Sequence, residues 1–481
     1  YLLSRLARQL AHTPHIDWRS RFASDAAARA VGDALAASNG DFDLMDRKAY
    51  GATLLIGADL LGSAPDIGLR FREAARLGRT RLALMDIRLD KWMSGPAEVL
   101  ALESPDTLAA AVDRLAEAVR AGQVPEGYES LFNLLKSQQQ GLIALGLDYA
   151  GGALAPALVP AALRLVEALG DGWHFLPVTA ARNAKGAFAC GAQSDRLATG
   201  AITSDDARTK ALELWGGGEL AGGETLTAPA LLRRAAEGAF KVLFLHRADE
   251  LVYHPQRELI EKAIRATPCV IAVDIFPSWI TDLCHVVLPG SLFYETDGTM
   301  TDIDGTLQRL TQGRRPPAGA QEEWRAIEST AALLGAGRRY HQAQEIFSDL
   351  SRAWNSPRPL RLDDLLLPGP GSFAPQVHRT MIGWKSRPDF KLHFSDRPRG
   401  DSPAQPIAAA GAGDLRLFWI QHAQGLDHLG SRSTEFDHLR PRPKIELHPS
   451  DAARLGLAEN DWAVLVGGSD TPSQIKLNPL L

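Results

Sequence analysis

The sequence predicts an α/β protein with two duplicated, mostly parallel sheet units and a β-rich module near its carboxyl terminus. Three observations predict this class. Strand-helix-strand units recur along the chain, an aspartate and a proline of one unit recur at the same separation in a later one, and the strands after residue 413 are short and alternate in polarity. With 481 residues the chain is longer than one hydrophobic core usually supports, so we expect several domains.

The first unit consists of a strand at 53–56, an amphipathic helix at 66–77 and a strand at 81–85 that stops at Asp86. Apolar residues at helical spacing predict further helices in the first 121 residues, at 2–10, 26–37 and 107–121. This alternation of strands and helices is typical of a parallel sheet.

The second unit repeats the same order at 242–245, 255–266 and 270–273. Asp59 and Pro65 of the first unit recur at the same separation as Asp249 and Pro255. The recurrence of these aspartate and proline residues predicts a duplicated sheet.

Asp86 and Asp274 end the second strands of the two units, at the edge where open α/β sheets bind ligands. No Gly-x-Gly-x-x-Gly follows either first strand. We therefore interpret both aspartates as residues that cap a helix or order a loop.

The stretch between the two units has its own strands, at 141–145 and 173–176, around a helix at 157–169, and we interpret it as an inserted domain. The predicted domains are the first half of the duplicated α/β domain at 1–135, the inserted domain at 136–230, the second half at 231–345, an irregular linker at 346–412 and the β-rich module at 413–481. In the last of these we predict a strand at 415–420 and a helix that has Ser450 as its N-cap and stops at Gly456.

Composition excludes several classes of function. A formal net charge of -5 provides no basic surface for nucleic acid, and no apolar stretch reaches the roughly 20 residues of a membrane-spanning helix. We therefore expect no nucleic-acid binding and no direct membrane insertion. The chain opens at Tyr1 without an initiator methionine, so we also expect that a further segment precedes it.

The chain has three cysteines, Cys190, Cys269 and Cys284, and no Cys-x-x-Cys. Iron-sulfur clusters and structural zinc need several thiolates that converge from closely spaced motifs. We therefore expect no metal redox centre. Cys269 and Cys284 lie in apolar surroundings, which indicates buried, inert thiols.

Two segments carry a family resemblance. The segment from Val286 to Gln308 resembles the molybdopterin oxidoreductase family, which has a valine-leucine-proline strand end, a glutamate, a glycine-threonine pair, an asparagine, a glutamate-glycine-arginine and later a tryptophan, here Trp324. The segment from Lys444 to Val466 is similar to the carboxyl-terminal dinucleotide-binding module of the same family. The resemblance implies duplicated Rossmann-like α/β domains of the molybdopterin oxidoreductase type, with a carboxyl-terminal β-barrel module.

Within this family the chain looks most like the large iron-sulfur subunit of NADH-quinone oxidoreductase, the proton-translocating respiratory complex I. Three segments support this, at 15–19, 40–45 and 182–187. The resemblance implies a cofactor-free scaffold region, with [4Fe-4S] and [2Fe-2S] clusters in an amino-terminal region outside this chain and FMN in partner subunits. It implies as partners the NADH-binding flavoprotein and the quinone-module subunits of the peripheral arm. The implied location is peripheral, on the cytoplasmic side of a bacterial inner membrane or the matrix side of a mitochondrial one.

The departures from the family pattern favour the scaffold. Asp302 stands where the family has asparagine, and a carboxylate repels a nearby phosphate. Thr306 replaces the family arginine, a bidentate donor that a hydroxyl cannot imitate. The family's metal-ligand position has no cysteine within residues 1–52, and Ser20, the one alternative ligand, is better interpreted as a surface or capping serine.

We therefore predict no catalytic, cofactor-binding or metal-binding residue in this chain. Two further interpretations stay open at this point. One is the catalytic subunit of a molybdopterin enzyme such as formate dehydrogenase, without its cluster domain. The other is a free binding module.

Overall fold

The computed structural model describes residues 1–38, 50–88, 91–305, 307–356, 358–365, 444–464 and 472–477. The chain forms two compact parts, one made of Tyr1–Asp46 and Ala181–Arg397 and the other of Arg47–Ala180 and Pro398–Leu481. Among these described residues, no helix combines the length and the apolar character that crossing a membrane requires.

Sixteen α-helices lie within these ranges, and a π-helical turn at Leu6–Leu10 extends the first of them. They are α1 (Leu2–Arg5), α2 (Asp25–Ala37), α3 (Leu60–Ser63), α4 (Pro65–Arg76), α5 (Lys91–Ser94), α6 (Leu108–Ala121), α7 (Glu129–Lys136), α8 (Ala155–Leu169), α9 (Ala184–Ala189), α10 (Asp205–Trp215), α11 (Ala228–Ala236), α12 (Asp249–Val252), α13 (Arg257–Ala266), α14 (Glu323–Leu333), α15 (Ala343–Ala353) and α16 (Pro449–Leu455). Short 3-10 turns occur at Tyr149–Gly152, Thr281–Leu283, Phe293–Glu295 and Leu362–Leu365.

The strands of the same ranges form five sheets. They are β1 (Ala52–Ile56), β2 (Arg81–Asp86), β3 (Val99–Leu102), β4 (Gly141–Gly146), β5 (Trp173–Val178), β6 (Arg196–Leu197), β7 (Gly200–Ala201), β8 (Val242–His246), β9 (Cys269–Asp274), β10 (Val286–Pro289), β11 (Gly298–Thr301), β12 (Leu307–Leu310), β13 (Lys444–Leu447), β14 (Trp462–Val464) and β15 (Pro472–Leu477).

The largest sheet has five parallel strands in the order β3-β2-β1-β4-β5. Every residue of β1 and β4 is buried, as expected for continuous apolar strands covered on both faces. The crossover through α4 joins β1 to β2 and the crossover through α8 joins β4 to β5 in the opposite direction. Because such crossovers are right-handed, these two helices cover opposite faces of the sheet.

This pairing corrects one of the predicted domain assignments. β4 pairs with β1 in register from Ala52 beside Gly141 to Ile56 beside Leu145. The strands expected in an inserted domain at 136–230 therefore belong to the sheet of the first unit, and that assignment was wrong. A buried parallel strand has the same apolar pattern whichever strand it pairs with, so the sequence did not reveal its neighbour. The other predicted boundaries stay predictions.

A second parallel sheet has the order β10-β9-β8. Helices α11 and α13 cover one of its faces, where Leu245 and Val270 join Ile260 and Leu232 in a buried cluster. The order β8-α13-β9 matches β1-α4-β2, so the predicted second strand-helix-strand unit is confirmed.

The carboxyl-terminal module has three described strands in the order β13-β15-β14, with α16 between β13 and β14. Gly456 ends α16 in the left-handed conformation, as predicted. The predicted N-cap at Ser450 is wrong. His448 caps the helix, and its ring nitrogen Nδ1 accepts the Ser450 N–H at 3.3 Å, because Pro449 takes the first helical position and moves the start upstream. The strand predicted at 415–420 lies outside the described residues.

Candidate functional site

The carboxyl end of the five-stranded sheet is the first place where a ligand would be expected. Strand order reverses between β1 and β4, and open α/β sheets bind ligands outside the carboxyl ends of the strands at such a reversal. The loops that follow β1, β2 and β4 meet there. Their side chains and backbone N–H groups decide what this edge can hold.

Asp86, the last residue of β2, lies at the centre of this edge and is buried. Its carboxylate accepts the N–H of Ala58 at 2.9 Å and the N–H of Ile87 at 2.7 Å. Burial raises the pKa of this carboxyl group to about 7, although the hydrogen bonds that it accepts act in the opposite direction. In the loop that follows β1, the Ala58 N–H is therefore hydrogen-bonded to a buried carboxyl group of the chain itself.

Arg88 is the cation at this edge, and it is already paired. Its guanidinium Nε lies 2.9 Å from Glu446 Oε2, and its Nη1 lies 3.9 Å from Asp59 Oδ2. Asp59 also caps α3 by accepting the Gly62 N–H at 3.1 Å. The positive charge of Arg88 is thus balanced by the carboxylates of Glu446 and Asp59.

Tyr149 lies beside Asp86 and is buried. Burial raises the pKa of its hydroxyl group well above the ordinary range, and the nearby Asp86 and Asp59 raise it further. Asp148, its neighbour in sequence, accepts the hydroxyl of Thr179 at 2.9 Å. Tyr149 is thus a buried part of this edge.

The backbones of the two loops approach each other closely at Gly146, the last residue of β4. A Cβ atom at this position would lie 1.9 Å from the carbonyl oxygen of Gly57. Gly57 has a φ of +53°, a conformation that favours glycine. The backbones that leave β1 and β4 are therefore in direct contact, with no space for a side chain at Gly146.

The carboxyl end of β8 in the second sheet holds a separate ion cluster. Arg247 follows β8 with a φ of +50°, which is uncommon for a residue with a side chain. Its Nε donates to Glu323 Oε1, and its Nη2 donates to the carbonyl oxygen of Ser291. His246 Nε2 lies 3.0 Å from the other carboxylate oxygen of Glu323.

Glu323 is the acceptor of this cluster and is held as an anion. Burial alone would raise its pKa, but the hydrogen bond and charge of His246 and the charge of Arg247 lower it below the ordinary value. Gly290 leaves space for the side chain, because a Cβ atom there would lie 2.6 Å from Glu323 Oε1. Both basic groups at this edge are therefore directed at one internal carboxylate.

Two of the predicted departures from the family pattern lie in described turns. Asp302 lies in the turn between β11 and β12, where its carboxylate accepts the Ile303 N–H at 2.7 Å and its carbonyl oxygen accepts the Gly305 N–H at 2.9 Å. Ser20 lies in a turn before α2. Thr306 and the segment 40–45 lie outside the described residues.

Asp86 and Asp274 have the role that the sequence predicted for them. Asp274 accepts the N–H of Ile275 at 2.7 Å, as Asp86 does with the residue that follows it. Both order the loop that leaves the second strand of their unit.

All three cysteines are free thiols of intermediate burial, so the prediction that Cys269 and Cys284 are buried was only partly correct. Burial, followed by the charge of Asp274, raises the pKa of the Cys284 thiol to about 11. Burial also raises the pKa of Cys190. In the part of the chain that the structure describes, no three His, Cys, Asp or Glu side chains come together as a metal site would require.

Sequence reasoning missed Arg247, Glu323, Tyr149 and Gly146. A signal existed for Arg247, because it occupies the place in the second unit that Gly57 occupies in the first, and the two residues share a positive φ. No local pattern indicates that Glu323, on α14, reaches the carboxyl end of β8.

At both edges, described groups that could meet a phosphate-bearing ligand are paired with carboxylates of the chain. Such a ligand needs free backbone N–H groups and cations. The Ala58 N–H is bound by Asp86, and the cations Arg88 and Arg247 are bound by carboxylates. These described groups are therefore already engaged within the chain.

Comparison with known proteins gives the family context. The family model described as molybdopterin oxidoreductase matches residues 23–331. The chain is 25% identical to the NADPH-Fe(3+) oxidoreductase subunit alpha of Geobacter sulfurreducens over 98% of this chain and 56% of that protein. It is 23% identical to a G-type subunit of the NADH-quinone oxidoreductase of Rhizobium meliloti over 88% of this chain and 50% of that protein.

Two further matches extend this context. The chain is 25% identical to the F420-dependent formate dehydrogenase subunit alpha of Methanocaldococcus jannaschii over 50% of this chain and 37% of that protein. It thus spans about half the length, or less, of these curated relatives. Among solved structures, acetylene hydratase from Pelobacter acetylenicus has the same fold, with a TM-score of 0.55 and 13% identity over 95% of this chain and 73% of that one.

Proposed function

The chain belongs to the molybdopterin oxidoreductase family, and from this premise we propose that residues 1–481 are a cofactor-free scaffold region of the large iron-sulfur subunit of NADH-quinone oxidoreductase. In this proposal the chain supports the peripheral arm of respiratory complex I, on the cytoplasmic face of the bacterial inner membrane or the matrix face of the mitochondrial one. Electrons pass from NADH to quinone through cofactors held by neighbouring polypeptides.

The observation that carries the proposal is the use of donors and cations at the carboxyl ends of both sheets. Asp86 accepts the Ala58 N–H of the loop after β1, and Glu323 accepts from Arg247 and lies 3.0 Å from His246. These contacts stabilise the loops themselves, which supports a structural role.

In a scaffold these internal hydrogen bonds and ion pairs have a physical benefit. Loops fixed by buried hydrogen bonds and ion pairs hold a constant geometry, and a constant geometry keeps neighbouring redox centres at fixed separations. The similarity to an NADH-quinone oxidoreductase polypeptide over most of this chain adds support for this assignment among the oxidoreductases of the family. The chain would then contribute interfaces and insulation, while clusters and FMN stay in other regions and subunits.

The alternative is a catalytic subunit related to formate dehydrogenase. The observation in its favour is the match to a formate dehydrogenase alpha subunit over half of the chain, at an identity similar to that of the match to NADH-quinone oxidoreductase. It requires a bound pterin dinucleotide and activity on a small substrate such as formate.

Native purification separates the two. The scaffold predicts that a tagged chain, purified in a mild detergent, brings with it an NADH-oxidising flavoprotein and quinone-module subunits in constant ratio. The preparation should reduce quinone with NADH, at a rate unchanged after growth without molybdenum and tungsten. A preparation that lacks those subunits and oxidises formate only after growth with either metal would refute the proposal.

A further inference from the structure

The carboxyl-terminal module meets the carboxyl edge of the five-stranded sheet through an arginine-glutamate pair. Arg88 follows β2, Glu446 lies on β13, and both belong to the same compact part of the chain. The guanidinium Nε of Arg88 lies 2.9 Å from Glu446 Oε2, and its Nη2 lies 3.3 Å from Oε1, so the pair is bidentate. The two side chains are 13% and 22% exposed, so water reaches the pair only in part.

The sheet side of this pair is held firmly. The Asp86 carboxylate accepts the N–H of Ile87 at 2.7 Å and that of Arg88 at 3.3 Å, which orders the backbone that carries the guanidinium. Asp59 Oδ2 lies 3.9 Å from Arg88 Nη1, and Asp59 itself caps α3. The loops of the sheet therefore position the guanidinium independently of Glu446.

The module side of the pair is held less firmly. Among the side chains of 445–463, Ala452 is the one that is buried, whereas every residue of β1 and β4 is buried. Leu455 and Trp462 are 47% and 61% exposed. Parts of a protein with few buried apolar contacts open locally at a low cost in free energy. The position of the module therefore depends on polar contacts more than the positions of the sheet strands do.

We propose that the described part of the module, 444–464 and 472–477, is a movable lid on the carboxyl edge of the five-stranded sheet, and that Arg88 is the latch that keeps it closed by binding Glu446. In the closed state β13 lies at this edge. In the open state Glu446 leaves Arg88, and the loops that follow β1 and β2 become accessible to solvent. The latch is a contact that differs between the two states, so its loss shifts the population towards the open one. This inference does not depend on the proposed function.

The distance between two spin labels on the 481-residue chain measures the position of the lid. The labels are carried by noncanonical amino acids at Glu126, between α6 and α7, and at Glu459 of the module, both of which are exposed. Double electron-electron resonance should give one main distance for the wild type, which is the closed state. Glu446→Gln should raise the population of other, longer distances at least ~10-fold, a factor equivalent to about 1.4 kcal/mol.

Two outcomes of this measurement would refute the proposal. One is the same distance distribution in the wild type and in Glu446→Gln, because the lid would then not depend on the latch. The other is a wild type without a main distance, because the closed state would then not be the populated one.

Matched variants separate the latch from a general change of charge. Glu98→Gln removes the carboxylate of the exposed Arg81–Glu98 pair on the same sheet and should leave the distances unchanged. Arg88→Lys keeps the positive charge but cannot bind both carboxylate oxygens as a fork, so it should open the lid several-fold. An effect of Glu98→Gln as large as that of Glu446→Gln would contradict a specific latch.

A double-mutant cycle tests whether the two residues act on each other directly. Arg88→Gln and Glu446→Gln should each open the lid, and the variant with both substitutions should open it no further, because each removes the same contact. Additive effects of the two substitutions would show that Arg88 and Glu446 act independently, which contradicts the proposal.

Discussion

Replacing Asp86 by asparagine removes a carboxyl group whose pKa is raised to about 7 in the folded chain, against an ordinary value of 3.8. Burial is the largest cause of the shift. The hydrogen bonds from Arg88, Ile87, Tyr149 and Ala58 oppose it only in part. Between about pH 4 and pH 7 the folded chain therefore retains at this position a proton that the unfolded chain releases.

The sign of the effect on stability follows from proton counting. Between the ordinary pKa and about 7 the folded state binds more protons than the unfolded state, so the free energy of unfolding falls as the pH rises through this interval. A shift of about three pKa units, at about 1.4 kcal/mol for each unit, gives about 4 kcal/mol. This contribution is fully present below about pH 4 and is lost above about pH 7.

Asparagine does not titrate, so the Asp86→Asn variant should lack this dependence on pH. It also directs either an oxygen or an NH₂ group at the Ala58 N–H, and losing that hydrogen bond should cost about 1–3 kcal/mol. We therefore expect the wild type to be the more stable protein near pH 4 and the variant to be the more stable one near pH 8.

Urea unfolding of both proteins at several pH values from about 4 to 8 measures this difference. All other titratable groups are common to the two proteins and cancel in the comparison. Asp274→Asn, at the matching last residue of β9, removes a comparable loop hydrogen bond and serves as the comparison. A difference between wild type and Asp86→Asn that stays constant over this pH range would refute the assignment.

Three further predictions concern the contact at Gly146, the ion cluster at Glu323 and the Cys284 thiol. Gly146→Ala should lower the free energy of unfolding by about 1–3 kcal/mol in urea titrations, because the new methyl group would meet a backbone carbonyl oxygen at 1.9 Å. The control Gly337→Ala, which has no atom within 4 Å of the new methyl group, should change this free energy little. Equal costs for the two variants would contradict the close contact at Gly146. Glu323→Gln should lower the free energy of unfolding by about 1–3 kcal/mol, because it leaves two basic groups without their carboxylate. The control Glu261→Gln, in an exposed ion pair, should lower it by less than about 1 kcal/mol. Equal losses of stability in the two variants would contradict the ion cluster at Glu323. The Cys284 thiol should react at least ~10-fold more slowly than an ordinary cysteine with a thiol reagent near pH 8. Its pKa of about 11 instead of 9.0 leaves ~100-fold less thiolate, and the greater nucleophilicity of that thiolate offsets this loss only in part. A rate like that of free cysteine would contradict its burial.

Much of the fold follows from local pattern. The apolar runs at 53–56 and 81–85 and the helical spacing between them predicted β1, α4 and β2 to within a residue or two, because buried parallel strands and amphipathic helices have distinct periodicities. The carboxyl-terminal stop at Gly456 followed from glycine's tolerance of positive φ. These features depend on neighbours in sequence.

Features that depend on distant neighbours were not predicted. The pairing of β4 with β1 is set by which strand fills a free edge, and no property of residues 141–146 alone encodes it. Glu323 meets Arg247 only because α14 approaches the end of β8, a contact between residues far apart in the chain. The helix start at His448 was missed because the rule for Ser450 was applied without the proline between them.

The candidate site shows the same division. The loop-ordering role of Asp86 was predictable because no glycine fingerprint follows β1. The positions of Arg88 and Glu446, which balance each other, were not predictable. Asp302, chosen from the family pattern, instead orders the turn between β11 and β12, so its influence on a phosphate stays a prediction.

The central claim is that this chain serves as a cofactor-free framework. The most direct test is the molybdenum, tungsten and pterin content of the intact native complex, measured per copy of this chain by elemental mass spectrometry and by pterin fluorescence after acid oxidation. The proposed scaffold predicts that all three are far below one per chain, while iron from the neighbouring clusters is abundant. One pterin-bound molybdenum or tungsten per chain would contradict it.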